Sequence, residues 1–203
     1  KRITNAVLNI GNENIPRVII DLSTVEITYE VLSKVGYTYN ETLDKWTVSE
    51  VACDYIHVGS NKINIKLPVQ LGIICNYSKW IESEINIKLY PEMNIDEYNK
   101  FTEDVVKFVY VLSHKKITKQ TLDKLNSDNK VIIILDTINS HGMVEQRNVF
   151  VQLLNKKCNT PIVISRCYKN AKFENICIDA SVDFGSLLLD GLGDGVLMSN
   201  KSY

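Results

Sequence analysis

Polar side chains that could bind or react recur where apolar runs end in this 203-residue sequence. Asp136 follows the run Val131–Leu135 directly, and Asp190 and Asp194 lie in a glycine-rich stretch further on. Carboxylates at the ends of strands serve as general acids or bases, or as ligands of hard metal ions. Aspartate after a strand is also a common helix cap, so position alone makes these three residues candidates.

Arg166 follows the apolar run Pro161–Ser165 and is a second kind of candidate. Its planar guanidinium binds phosphate or carboxylate through two parallel hydrogen bonds, which predicts an anion clamp. A buried ion pair with Asp136 or Asp190 explains the residue equally well, and both interpretations stay open.

Three glycines follow a leucine run near the end of the sequence. Leu187–Leu189 predicts a short buried strand, and Gly191, Gly193 and Gly195 let the backbone after it adopt positive φ. Such a turn can aim backbone N–H groups at an anion. It can equally be a plain tight corner between two apolar runs.

Metal and nucleophile signals are weak. His57 and His114 are isolated in the sequence and are interpreted as structural. Five cysteines without a C-x-x-C pair favour reduced thiols in an intracellular setting, and argue against a zinc or iron–sulfur site within this chain. We therefore predict no metal and no cofactor in this chain.

Composition and charge exclude several classes of protein. With 45% hydrophobic and 23% charged residues the chain has an ordinary globular composition. A net charge of −1 gives no basic excess for nucleic acid or an anionic membrane. No apolar run is long enough to span a bilayer, and no signal peptide is recognisable. A cytoplasmic location is expected.

The elements that position these residues alternate between strand and helix. β-branched and apolar runs predict strands at 16–21, 54–59, 71–75, 85–90, 105–112, 131–136 and 161–166, and the leucine run supplies the last. Capping-box patterns begin predicted helices at Ser23, Thr47 and Asn94. Another helix is predicted over 143–157, and Gly185 is predicted to end the helix before the leucines.

Strands this apolar on both faces belong to a parallel sheet covered by helices. Their number predicts a compact α/β fold, a (β/α)8 TIM-barrel-like single domain over residues 1–203, with a doubly wound parallel sheet as the alternative. In either fold the polar residues gather at the carboxyl edge of the strands. We expect Asp21, His57, Asn76, His114, Asp136, Asn139, Arg166, Asp190 and Asp194 there.

Three segments together carry a family resemblance. Leu187–Gly195, Met143–Phe150 and Pro161–Arg166 resemble the large form of 4-hydroxy-3-methylbut-2-en-1-yl diphosphate synthase, an oxidoreductase of the methylerythritol phosphate route to isoprenoids. The resemblance extends over the whole chain and is to the extra central domain of that form. It implies an inserted, non-catalytic barrel cut from a larger enzyme that converts 2-C-methyl-erythritol 2,4-cyclodiphosphate.

The resemblance also implies partners and cofactors. The catalytic barrel and the iron–sulfur domain would belong to the same polypeptide, with the [4Fe-4S] cluster bound outside this chain. Ferredoxin or flavodoxin would reduce the whole enzyme, and a eukaryotic version would lie in a plastid or apicoplast.

One departure from the family pattern weakens the glycine turn as a substrate site. In the catalytic barrel an arginine and a serine after this turn hold the diphosphate, and Leu197 and Ser199 stand in those places here. No catalytic residue carries over. The alternative function is an anion-binding barrel with its own site at Arg166 and Gly191–Gly195.

Overall fold

The computed structural model describes residues 2–83, 88–169 and 172–199. Two strands, β2 (Tyr37–Asn40) and β3 (Lys45–Val48), form a separate antiparallel hairpin. The others form one sheet: β1 (Arg17–Asp21), β4 (Tyr55–Gly59), β5 (Gly72–Asn76), β6 (Leu89–Met93), β7 (Lys107–Leu112), β8 (Val131–Asp136), β9 (Ile162–Cys167) and β10 (Gly195–Ser199).

These eight strands close into a parallel barrel, in the order β1-β10-β9-β8-β7-β6-β5-β4. Closure follows from β1, which pairs with β10 on one side and with β4 on the other. The predicted TIM-barrel-like fold is therefore confirmed. The doubly wound alternative is wrong, because an open sheet would leave two strands with an unpaired edge.

Helices connect most of the strands on the outside of the barrel. They are α1 (Tyr29–Lys34), α2 (Tyr77–Glu82), α3 (Ile95–Lys100), α4 (Lys119–Ser127), α5 (Gly142–Asn155) and α6 (Phe173–Leu189). The connection from β4 to β5 is extended instead. Among the described residues, none of the helices has the length and apolar character that a membrane crossing requires.

Alternation along the strands divides the core into two layers. Residues such as Ile19, Phe108 and Leu197 point into the barrel, and their neighbours in sequence pack outward against the helices. The inner layer also holds Val7 and Ile10, which form an antiparallel bridge before β1. The segment before β1 therefore plugs the base of the barrel, at the amino ends of the strands.

The leucine run is helical, which corrects the predicted last strand. Leu187–Leu189 end α6, and Gly185 lies inside that helix without ending it. The helical pattern continues through the glycine, since Phe184 and Leu187 are both buried whereas Leu189 is 89% exposed. The closing strand is β10, after the glycine turn, so the turn lies at the base of the barrel.

A second correction concerns the strand predicted over 85–90. Residues 85–87 lie outside the described residues, and β6 begins at Leu89 and continues through Pro91. Proline is tolerated within this strand because the register with β7 starts at Glu92, one residue later.

Two of the three capping boxes are wrong and one is confirmed. Thr28, and not Ser23, caps α1. Thr47 belongs to β3, where tertiary pairing with β2 overrides the local pattern. At Asn94 both bonds of the box are formed: its side chain accepts from the Glu97 N–H, and the Glu97 carboxylate accepts from the Asn94 N–H.

Candidate functional site at the barrel mouth

The carboxyl ends of the strands bring a ring of polar side chains into the barrel mouth. Each follows an inward-facing apolar residue by two positions and so shares its direction. Ile19 precedes Asp21, Tyr55 precedes His57, and the same rule holds around the ring. The polar members facing the mouth cavity are Asp21, His57, Glu92, Tyr110, Ser165 and Ser199.

His57 lies between two carboxylates and is almost fully buried. Its Nδ1 is 3.2 Å from Asp21 Oδ1, and its Nε2 is 3.0 Å from Glu92 Oε2. An imidazolium in this position would donate one N–H to each carboxylate. Asp21 is held further by the Ser199 hydroxyl, which donates to Oδ2 at 2.8 Å, and by the Ser23 N–H, which donates to Oδ1 at 2.9 Å.

Asp136 is the centre of a second group on the opposite wall. The Tyr110 hydroxyl donates to its Oδ2, and the Thr137 N–H donates to its Oδ1 at 2.8 Å. Burial raises the pKa of Asp136 above its ordinary value, and hydrogen bonds from Tyr110, Thr137 and Ser165 oppose that shift. The proton is therefore retained to higher pH than in an exposed aspartate.

The space between these side chains leaves almost no room for a ligand. Its cavity measures about 10 Å³, close to the space that one water molecule needs. Titratable groups are in place here for acid–base chemistry, but they bind one another across the gap. A substrate would have to break these contacts to enter between the groups, although Tyr110 also lines an outer cleft of about 510 Å³ between α3 and the β7–α4 connection.

Arg166 points away from the mouth, because it neighbours the inward-facing Ser165. Its Nε donates to Asp183 Oδ2 at 2.8 Å, and Nη1 donates to the Asn139 carbonyl at 2.9 Å. Nη2 reaches the Ser140 carbonyl at 3.3 Å. The residue lines an outer cleft of about 400 Å³ beside α6, with its charge balanced by Asp183. Of the two sequence interpretations, the structure shows an ion pair, with α6 and not with Asp136 or Asp190.

The glycine turn caps the end of α6. The Gly191 N–H donates to the Leu188 carbonyl and the Leu192 N–H to the Leu187 carbonyl, both at 2.9 Å. With φ of +71° at Gly191, this pattern is a Schellman motif. The Asp194 N–H donates to the Ile162 carbonyl at 2.7 Å. These three N–H groups of the turn are therefore already bonded within the chain and cannot bind an anion without breaking those bonds.

The structure does not bring the turn and Arg166 together. Gly195 begins β10 and pairs with Val163 near the start of β9, whereas Arg166 lies near the end of β9. They lie toward opposite ends of the barrel. The site that combined Arg166 with Gly191, Gly193 and Gly195 has no basis in this geometry.

The other two aspartate candidates also lie away from the mouth. Asp194 is buried at the base, where it accepts from the Thr4 hydroxyl and the Ile162 N–H, both at 2.9 Å. Asp190 forms a surface ion pair with Arg147. Of the three aspartates proposed from the sequence, only Asp136 belongs to the polar ring.

Sequence reasoning placed Asp21 and His57 at the strand edge correctly but missed Glu92, Tyr110, Ser165 and Ser199. Tyr110 and Ser165 lie inside runs interpreted as strands, Ser199 directly follows the apolar run 196–198, and Glu92 lies beyond a strand predicted to stop before Pro91. Strand parity would have found them, since each shares the direction of the apolar residue two positions earlier.

The five cysteines do not converge on a site. Cys53, Cys75 and Cys158 are buried, and Cys177 is exposed on α6. Within the described part of the chain, no group of three or more His, Cys, Asp or Glu side chains could hold a metal ion. These residues do not fit an iron–sulfur cluster.

Fold and mouth together define a closed parallel α/β barrel with polar strand ends, the architecture on which many enzymes are built. Comparison with known proteins relates the chain to one group of them. It is 26% identical over 201 residues to the 4-hydroxy-3-methylbut-2-en-1-yl diphosphate synthase (flavodoxin) of Parabacteroides distasonis, across 99% of this chain and 30% of that protein. For the synthase of the same name from Bacteroides thetaiotaomicron the identity is 27% over 207 residues, across 99% of this chain and 29% of that protein.

The family resemblance seen in the sequence is thereby confirmed. The chain is related along nearly its whole length to one segment of the large synthases of Bacteroidetes, and spans about 30% of the length of the relatives it matches. No family profile matches the chain, and no solved structure matches it.

Proposed function

We propose that this chain is a structural, non-catalytic barrel domain inserted in a 4-hydroxy-3-methylbut-2-en-1-yl diphosphate synthase. It would hold the working parts of that enzyme at the spacing and orientation their reaction requires. The relatives carry this synthase name and are about three times as long as the segment matched here, so most of each lies outside it.

The closed mouth is the observation that carries the proposal. A diphosphate needs positive or N–H donors and a cavity large enough to admit it. Here the cavity of about 10 Å³ is lined by carboxylates, hydroxyls and one histidine that pair with each other. At the position after the turn where the catalytic barrel of the family holds phosphate with an arginine, Leu197 points into the apolar interior.

The chemistry of the whole enzyme would then reside outside this chain. The longer protein would reductively open 2-C-methyl-erythritol 2,4-cyclodiphosphate, with its [4Fe-4S] cluster held by another domain. The name of the relatives specifies flavodoxin, so we propose flavodoxin as the reductant, with ferredoxin as an alternative donor of the same kind. The relatives are bacterial, and we place the enzyme in the cytoplasm.

Two variants of the full-length synthase separate a structural barrel from a catalytic one. Tyr110→Phe and Glu92→Gln keep the shape of the mouth while removing a proton donor and a charge. We expect kcat/KM to stay within about twofold, whereas loss of a general acid or base costs about a hundredfold or more. A loss of that size in a variant with unchanged melting temperature would contradict the proposal.

Excision of the barrel supplies the converse measurement. Replacing residues 2–199 by a flexible linker should abolish turnover while the remaining protein keeps its cluster, because the working domains lose their relative placement. Full activity after excision would show that no spacing role exists. The isolated chain should fold without iron and without activity, so a brown, cluster-bearing preparation of it would also count against the proposal.

A further inference from the structure

The outer surface of the barrel is covered unevenly. Apart from the half-buried Leu89 at the start of β6, outward-facing residues on the strands from β4 to β9 are almost completely buried, as Ile56, Val109 and Ile133 show. Helices and the extended β4–β5 connection provide that cover. This is the normal arrangement for parallel strands, which occur almost only where both faces of the sheet are covered.

The seam between β1 and β10 is the exception. Its outward residues are Val18 and Ile20 on β1 and Val196 and Met198 on β10. The register pairs Val18 with Val196 and Ile20 with Met198, so the four side chains form one apolar patch. Val18 is 38% exposed, and the other three are half-buried. Among the described residues, no helix connects β10 back to β1.

The side chains and the width of the β1–β10 seam indicate what kind of structure could pack against it. Its four outward side chains are uncharged, so nothing in the patch recognises an anionic or cationic ligand. Two parallel strands about 4.8 Å apart present a strip whose width suits one α-helix packed with its apolar face inward. In barrels of this type helices form an outer ring around the strands.

We propose that the β1–β10 seam is the docking surface for one amphipathic α-helix supplied by the longer polypeptide. The choice of a helix from the same polypeptide rests on the proposed function, under which this chain is one domain of a larger synthase. It is supported by the relatives, of which about 70% lies outside the matched segment. The helix would complete the outer layer and fix this barrel to its neighbour.

Thiol labelling in the full-length protein tests the proposal. Val18→Cys places a reactive group in the seam with little change in size, and Val51→Cys is the matched control because Val51 is 89% exposed in the connection after β3. Labelling rates by a maleimide are read at each peptide by mass spectrometry and normalised to the denatured protein. We expect the seam thiol to react at least about tenfold more slowly than the control.

The same pair in the 203-residue chain completes the test, with both thiols expected to react within about threefold of each other. Equal reactivity of the seam thiol in the long and short proteins would overturn the proposal. Protection that appears in the short chain and grows with protein concentration would also overturn it, by identifying a second copy as the occupant. Labelling does not depend on turnover, so a catalytic mouth would refute the proposed function and leave this result unaffected.

Discussion

The two ends of the barrel are both closed by buried polar groups, but the closures are built differently. At the base one continuous segment, 2–16, folds under the strands and ties itself to the glycine turn through Arg2, Thr4 and Asp194. At the mouth seven different strands each contribute a single side chain to the polar ring. One segment of chain closes the base, whereas the mouth is closed by side chains that the strand register brings together.

This difference explains which end resembles a functional site. A ring assembled from many strands places titratable groups within reach of one another, which is how barrel enzymes build active sites. Among the described residues, the polar side chains at the base also contact one another, but Arg2 and Asp194 mainly satisfy backbone donors and acceptors. The polar ring at the mouth has the arrangement of an active site, but the cavity between its side chains is too small for a substrate. The polar groups at the base hold the segment 2–16 to the glycine turn.

Mutation of the buried polar contacts at the base should reduce the stability of the fold more than any other change considered. Asp194→Ala removes the partner of the buried Arg2 guanidinium, whose Nη1 lies 3.8 Å from the carboxylate, and leaves the Ile162 N–H unpaired. We expect the free energy of unfolding to fall by about 3–5 kcal/mol. Urea denaturation of both proteins measures the loss.

Asp190→Ala is the matched control four residues earlier in the same loop. Its pair with Arg147 is about half exposed, so the loss should stay below about 1 kcal/mol. Equal losses for the two aspartates would mean that the base is held by the loop backbone and not by the buried charge.

Two glycines near the loop should respond to alanine with opposite signs. Gly193 has φ of +89°, and an added Cβ would lie 2.5 Å from Ile164 Cδ1, so Gly193→Ala should destabilise by about 1–3 kcal/mol. Gly185 lies inside α6 with nothing within 4 Å of an added Cβ. Gly185→Ala should stabilise by about 0.5–1 kcal/mol, since alanine is the better helix former. Thermal unfolding of both variants checks the two signs, and destabilisation by both would show that α6 is not helical through residue 185.

The same two glycines show where sequence reasoning succeeds and fails. The strands β1, β4, β5, β7, β8 and β9 were predicted to within two residues, because β-branched runs in a fully covered sheet leave few alternatives. Gly185 and the leucines after it were misassigned because a glycine and a short apolar run fit a helix end and a strand equally well. Packing of α6 against α5 and β9 decides between them.

That single error displaced the predicted site from one end of the barrel to the other. If Leu187–Leu189 formed a strand, the glycine turn would lie at the carboxyl edge beside Arg166. In the structure these leucines end α6, and the turn lies at the base. The polar ring was recoverable in part, since Asp21, His57 and Asp136 lie at or near the ends of clearly predicted strands. Whether those side chains leave space for a ligand depends on distances across the barrel, which no local pattern encodes.

The smallest expected effect is the difference in pH dependence between the buried Asp136 and the exposed Asp104. Burial raises its pKa in the folded protein above the ordinary 3.8, so its contribution to stability is fully present below that value and is lost as pH rises through the folded pKa. Asp136→Asn removes the titration while keeping a neutral side chain of the same shape. The difference in unfolding free energy, natural protein minus variant, should therefore decline above about pH 4, by less than about 1.4 kcal/mol per pH unit.

Asp104 is the control for this sign, because it lies on the surface beside Lys130. A hydrogen bond from the Lys130 ammonium lowers the pKa of Asp104, so its contribution is present above the unfolded pKa and is lost as pH falls through the folded pKa. The corresponding difference for Asp104→Asn should therefore increase with pH while that for Asp136→Asn decreases. Denaturant titrations from pH 3 to 7 measure both differences. If both differences in unfolding free energy increased with pH, water would have to reach Asp136 and keep it ionised. The closed mouth would then no longer distinguish this barrel from a catalytic one.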